Sequence, residues 1–408
     1  MSLEWKTVEL KSIADVTMGQ SPKSEFYNDN FEGMPFLQGN KTFGDKYPSF
    51  ELYTTSIKKV AKKSSVLMSV RAPVGDLNIA REDICIGRGV CGLQMKRGDN
   101  EFLYYLLKAN IPQLINKESG TVFGSINKND IETFEVTLPE DFEDQMKILT
   151  ILKNIDKKIE ISKKLNNNLA DCVLAIFRRW FVNFEPFKNN PFIDSDFGFI
   201  PENWKVGTIG DYCKIKSGFA FKSAWWQEDG IKVIKIKDIN QDSIDLNDCS
   251  CVSSDKLEKA SEFEVTGGDL IIAMTGATLG KFSIVPKNDE PLYVNQRVGK
   301  FFLGGKPSSK LPFIWSLLKQ KRISDEIVNR GQGSAQPNVS PTDIETIEII
   351  LPPVEIINQF NEECRSMFEL MINKSYEITK LNKLRDTLLP KLMSGEIDIT
   401  KINYDLND

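Results

Sequence analysis

Apolar residues along the chain alternate between two kinds of spacing, and each kind occurs twice. Over about residues 1 to 140, and again over about 200 to 353, they form short runs broken by glycine, proline and asparagine. Ser65-Val66-Leu67-Met68-Ser69-Val70 leads into Ala72-Pro73-Val74-Gly75, and Asp269-Leu270-Ile271-Ile272-Ala273-Met274 leads into Thr275-Gly276-Ala277-Thr278. Short apolar runs bounded by turn-forming residues predict strands, so these stretches read as compact mixed β-rich domains. Over about 142 to 181 and 354 to 392 the spacing changes to three- and four-residue steps. It is carried by Ile148, Leu152, Ile155, Ile159, Leu165, Leu169, Val173 and Ile176 in the first stretch, and by Phe360, Met367, Met371, Ile378, Leu381, Leu384 and Leu388 in the second. That period predicts two amphipathic helices. At 1.5 Å per residue, about 38 residues reach roughly 57 Å, too long for one side of a globular core and suited to a coiled coil between the two. Asn166, Asn167 and Asn168 are expected to weaken the first helix locally.

The alternation is an internal repeat. Trp5-Lys6-Thr7-Val8 is answered about 200 residues later by Trp204-Lys205-Val206-Gly207. Asp130-Ile131-Glu132-Thr133 with Leu138-Pro139 is answered by Asp343-Ile344-Glu345-Thr346 with Leu351-Pro352. A chain order of domain, helix, domain, helix allows a parallel or an antiparallel helix pair. The proline- and asparagine-rich connector from Asn183 to Asn203 fits the antiparallel one, because the second domain can then begin where the first helix ends. Two copies of one surface imply a target with two comparable halves.

Composition removes several function classes. The chain of 408 residues contains no histidine. There is thus no serine or cysteine triad of the usual kind, no histidine metal cluster and no unshifted near-neutral base. The 52 basic and 57 acidic residues leave a net charge of -5, so phosphate contacts must come from local clusters such as Lys58, Lys59, Lys62 and Lys63. Seven scattered cysteines suit a reducing compartment better than a disulfide framework. Without a membrane-length apolar run or a signal-peptide pattern at the N-terminus, the cytoplasm is the expected location.

Motifs for cofactors are incomplete. Gly87-Arg88-Gly89-Val90-Cys91-Gly92 has the glycine spacing of a dinucleotide site but runs into Leu93-Gln94-Met95-Lys96, which reads as strand instead of helix. Gly276-Ala277-Thr278-Leu279-Gly280-Lys281 is one residue short of a phosphate loop and is followed by Phe282 and a β-like run. No cofactor and no metal are expected.

The repeated Trp-Lys openings, Phe181-Val182-Asn183-Phe184-Glu185-Pro186 after the first helix, and the run from Leu381 to Ile397, including Leu388-Leu389-Pro390-Lys391-Leu392-Met393-Ser394-Gly395-Glu396, resemble the specificity subunit of type I restriction-modification systems. The resemblance implies an α+β fold. Two β-rich target-recognition domains would each precede a long helix, and the helices would form an antiparallel coiled coil with pseudo-two-fold symmetry. The corresponding division is 1–141 for the first recognition domain, 142–182 for the first spacer helix, 183–203 for the connector, 204–353 for the second domain, and 354–408 for the second spacer helix and tail. The resemblance further implies a non-catalytic subunit that binds double-stranded DNA at a bipartite asymmetric site and docks two methyltransferase subunits and restriction subunits. Methyl transfer from S-adenosylmethionine and ATP-driven cleavage would then belong to those partners. The Asn/Asp-Pro-Pro-Tyr/Phe signature of an adenine methyltransferase is absent, the nearest runs being Leu351-Pro352-Pro353-Val354 and Asn190-Pro191-Phe192. The competing reading is a coiled-coil scaffold whose repeated domains bind protein or glycan.

Base reading needs side chains that donate and accept, and phosphate contacts need cations or backbone amides. Loops rich in both occur at matching places. In the first repeat the candidates are Gln38, Asn40, Lys41, Lys58, Lys59, Lys62, Lys63, Arg71, Ser125, Asn127 and Lys128. In the second they are Lys235, Lys237, Thr275, Thr278, Lys281, Gln296, Arg297, Gln332, Ser334, Gln336 and Asn338. The plain alternative is solvated surface, and for the lysine group a solvated helix face. At the helix ends, Phe177, Trp180, Phe181 and Phe184, and likewise Leu388, Leu389, Leu392 and Met393, either cap the local core or form a docking patch for a partner.

Overall fold

The structure is a computed structural model, and it describes residues 4–116, 124–246, 248–332 and 337–399. The chain divides into two units. One comprises residues 1–157 with 381–408, and the other residues 158–380.

Each unit repeats the same strand topology. In the first, Ala14–Met18, Val90–Met95, Val66–Ser69 and Leu77–Ile79 form an antiparallel sheet in that spatial order; in the second, Lys214–Ser217, Val298–Phe302, Leu270–Ala273 and Phe282–Ile284 do the same. A five-stranded sheet accompanies each. Its central parallel pair is Met34–Leu37 with Ile84–Ile86 in the first unit and Ile231–Ile234 with Leu292–Val294 in the second. The strands of both central pairs are largely buried and correspondingly rich in Ile, Val and Leu. A third, two-stranded pairing closes each domain by joining its start to its end, Trp5–Glu9 with Glu135–Pro139 and Lys205–Thr208 with Glu348–Leu351. This pairing unites the two most recognisable repeated sequences.

The repeated Asp-Ile-Glu-Thr segments form one-turn helices, Lys128–Glu132 and Pro341–Glu345. Asp130 and Asp343 close capping boxes with Asn127 and Ser340. The Asn127 and Ser340 N–H groups donate to those carboxylates at 3.0 and 2.8 Å, and the Asp N–H groups donate back to Asn127 Oδ1 and Ser340 Oγ at 3.1 Å each. Ile131 and Ile344 are fully buried. The motif is a structural frame, which is why its two copies stay alike.

Two unbroken helices of 40 residues each, Phe142–Phe181 and Val354–Met393, each lend one end to each unit. Within the second unit they run antiparallel. Lys158 and Ser162 meet Glu377, Asn166 meets Ser375 and Met371, and Phe177 meets Phe360. The expected weakness at Asn166 to Asn168 does not appear. Asn166 Nδ2 donates to Ser375 Oγ at 3.1 Å and to the Met371 carbonyl at 3.3 Å, so the polar side chain is used between helices and does not compete with its own backbone. In the first unit, Ile148, Leu149 and Leu152 share a core with Leu389, Leu392 and Met393.

The cores explain the repeated tryptophans. Trp204 is buried against Phe181, Phe184 and Phe187 at the end of the first helix. Trp5 packs on the first unit's core, where its indole lies against Gly395 just past the second helix. Each tryptophan therefore seats the end of one long helix on a domain.

Candidate nucleic-acid interface

In both units, loops distant in sequence meet along one edge through matching backbone hydrogen bonds. In the first unit, Gly87 N–H donates to the Leu37 carbonyl at 2.8 Å, Gly89 N–H to Gln38 at 3.2 Å, Val70 N–H to Gly89 at 2.9 Å and Ile126 N–H to Val70 at 3.0 Å. In the second, Asn295 N–H donates to Ile234 at 2.9 Å, Met274 N–H to Arg297 at 3.0 Å and Val339 N–H to Met274 at 2.9 Å. Bridges between Arg71 and Ser125 and between Thr275 and Asn338 complete the match. The bonds equate Gln38 with Lys235, Arg71 with Thr275, Arg88 with Gln296 and Ser125 with Asn338.

This edge brings together Gln38, Arg71 and Ser125 in one unit and Gln296, Arg297 and Asn338 in the other, all exposed. Arg297 Nη1 donates to Asn338 Oδ1 at 3.3 Å. Lys58, Lys59 and Lys63 are exposed too, and among the described residues no carboxylate lies within ion-pair reach of their ammonium groups or of Arg71. They flank the strand Val60–Ala61 and lie on no helix, so the helix-face alternative does not hold. Lys281 is half-buried and Gln332 exposed. Ser334 and Gln336 lie outside the described residues.

Other candidates are already engaged within the fold. Thr275 is buried and its hydroxyl donates to the Pro337 carbonyl at 2.9 Å, clamping two loops, while Thr278 Oγ1 donates to the Ile236 carbonyl at 3.0 Å. Asn127 is a helix cap. Asn40 donates to Asp76 at 2.6 Å. Lys41, Lys62 and Lys128 pair with Glu51, Asp83 and Glu132 at 2.9, 2.8 and 3.3 Å. Lys237 pairs with Asp248 at 2.7 Å. Lys235 stands 3.5 Å over the Trp226 ring and donates to Ser250 Oγ at 2.8 Å, and burial pushes its ammonium pKa down. None of these contacts was visible in sequence, because each partner lies on another loop or is chosen by local backbone geometry.

The helix-end residues resolve toward the core. Phe177, Phe181, Leu389, Leu392 and Met393 are buried, and Trp180, Phe184 and Leu388 pack against the same cores. The five buried side chains are used within the chain as core caps, while Trp180, Phe184 and Leu388 stay partly exposed. Arg88, not among the candidates above, is exposed on the turn between Ile84–Ile86 and Val90–Met95, at the place equivalent to Gln296.

Among the described residues, no group of three or more His, Cys, Asp or Glu could hold a metal ion, and no helix is long and apolar enough to cross a membrane. Burial pushes the Cys91 and Cys364 thiols up to about 12, far from a nucleophilic thiolate.

The sequence matches the family model described as the type I restriction modification DNA specificity domain twice, over residues 2–171 and 201–384. The chain belongs to this family. It is 28% identical to the type I restriction enzyme MjaIX specificity subunit of Methanocaldococcus jannaschii, over 98% of this chain and 95% of that one. It is 24% identical to the MjaVIII specificity subunit of the same organism, again over 98% and 95%. The crystal structure of the type I restriction-modification system S subunit from M. genitalium has the same fold, with a TM-score of 0.55 at 18% identity over 96% of each chain. The chain is thus a specificity subunit, the non-catalytic component of its system, concerned with DNA sequence recognition.

Proposed function

We propose that each unit reads one half of a split, asymmetric DNA site through its loop edge. The observation that carries this reading is the matched edge itself: one backbone scaffold, built twice, with different side chains at equivalent positions. A scaffold fixed by backbone bonds can vary its side chains without loss of geometry, which is what reading unlike half-sites requires. Residues 1–141 and 204–353 are the recognition domains in this reading, 142–182 and 354–408 supply the spacer helices and tail, and 183–203 connects them. Base contacts come from Gln38, Arg71, Ser125, Gln296, Arg297, Gln332 and Asn338, and phosphate contacts from Lys58, Lys59, Lys63 and Lys281. Docking of two modification subunits and of restriction subunits rests on family membership, and no helix-end side chain is assigned to it.

Salt-titrated binding to duplex DNA tests the reading. Affinity should fall steeply with salt, and the double change Lys58→Ala, Lys59→Ala should weaken binding to all duplexes alike and reduce the salt slope by about 2. Salt-insensitive binding, or binding to protein or glycan in place of DNA, overturns it.

A further inference from the structure

We infer that Arg88 and Gln296 are the same base-reading position in the two units, and that Arg88 reads a guanine and Gln296 an adenine in the major groove. The inference rests on the DNA-recognition reading above and adds the chemical class of base at one position in each half-site.

The turn that carries Arg88 is fixed on every side. Gly87 and Gly89 are bound to the carbonyls of Leu37 and Gln38, Val90 N–H donates to the Gly87 carbonyl at 3.0 Å, and Arg88 N–H donates to Ser21 Oγ at 3.1 Å. A Cβ at position 89 would lie 2.6 Å from the Gln38 carbonyl oxygen, so backbone approaches backbone too closely for any side chain but hydrogen. Arg88 is left as the one side chain the turn presents. It is exposed, and among the described residues no carboxylate is within reach of its guanidinium. In the second unit two of these bonds recur, Asn295 N–H to Ile234 at 2.9 Å and Val298 N–H to Asn295 at 2.8 Å, and with Met274 N–H to Arg297 at 3.0 Å they set Gln296 at the position of Arg88. Its amide is exposed and makes no hydrogen bond among the described residues, while Arg297 beside it is held by Asn338. A group on a bonded turn, unpaired within the protein, meets a base edge without ordering backbone or breaking an internal bond, and orders only its own rotamers.

Chemistry then separates the two. The planar guanidinium fork donates twice and matches the paired acceptors O6 and N7 of guanine. A glutamine amide donates and accepts, and matches N7 and N6 of adenine.

The test is selection from randomised duplexes by the full chain in complex with its modification subunits. Wild type, Arg88→Gln and Gln296→Arg are compared, with thermal midpoints confirming that these surface changes leave the fold intact. Arg88→Gln should lose about tenfold to hundredfold of the preference for guanine at one position of one half-site, with the other half-site unchanged. Gln296→Arg should do the same for adenine in the other half-site. Unchanged preferences in both variants, a uniform loss across all positions, or a different base at the affected position overturns the assignment while leaving DNA recognition standing. A wild-type complex that selects no sequence at all overturns the recognition reading, and this inference with it.

Discussion

Ser340 and Asp343 show at single-residue scale why one part of the repeat is kept and another varies. The Asp343 carboxylate accepts from the Ser340 N–H at 2.8 Å and from its hydroxyl at 2.7 Å, and these bonds hold its pKa below the usual 3.8. A depressed folded-state pKa contributes stability that is present above the unfolded value and is lost as pH falls through the folded one. Ser340→Ala should therefore cost about 1 kcal/mol near neutral pH. The difference from wild type should shrink as pH drops below the ordinary 3.8. Denaturation midpoints of the two proteins across pH 2 to 7 check this, and a constant difference would contradict it. Residue type was legible in sequence here, but role was not. Asn127 and Ser125 are equally polar and two positions apart, yet one is spent capping a helix and the other bridges to Arg71 on the loop edge. Thr275 has the composition of a base reader, and only the Pro337 carbonyl, 62 residues away, occupies its proton.

At the scale of elements, both units seat their helices on an apolar core and differ in what is added to it. In the first, Arg385 Nη1 pairs with Asp156 Oδ1 at 3.0 Å, Tyr105 donates its hydroxyl to the same carboxylate, and Lys46 lies 3.8 Å away. Glu101 joins through Lys46 and Lys153 at 3.2 and 2.5 Å. Burial tends to raise its carboxyl pKa, but the two ammonium groups outweigh that and leave it lowered. The second unit uses rings instead, with Phe177, Phe181, Phe313 and Phe360 in mutual edge and tilted contacts. Asp156 and Arg385 side chains are only 13% and 17% exposed, so Asp156→Ala takes the shared acceptor from Arg385, Tyr105 and Lys46 and leaves the nearly buried guanidinium only Asp386, at 2.9 Å. It should cost about 3 kcal/mol, with part recovered in the double change with Arg385→Ala. Thermal or urea unfolding measures this, and a cost under about 1 kcal/mol would mean that solvent screens the pair as on an open surface. The helices themselves were plain in the apolar spacing. Their continuity through Asn166 was not, because the bonds that hold it come from the other helix.

Across the whole molecule, the repeated topology predicts modular behaviour. Replacing residues 1–141 by the matching domain of another specificity subunit should change one half of the recognised sequence and leave the other half and the spacing as they were. Mapping methylated sites in cells carrying the exchanged chain reads all three at once, and a change in both halves would contradict independent readers. Gly395 marks a constraint on such exchanges. Its φ is +76° and a Cβ there would lie 2.8 Å from the Trp5 indole, so position 395 must stay glycine wherever the incoming domain carries a tryptophan at this place.

The sequence by itself determined the two-fold repeat, the β-rich and helical textures, the absence of histidine chemistry and the family, because periodicity, composition and helix-end motifs are local properties of the chain. Tertiary structure alone decided which polar residues remain available. Hydrogen bonds between distant loops assign Thr275, Thr278 and Lys237 to the fold and leave Gln38, Arg71 and Gln296 at the edge. The same bonds set Arg88 and Gln296 at equivalent places on the two turns.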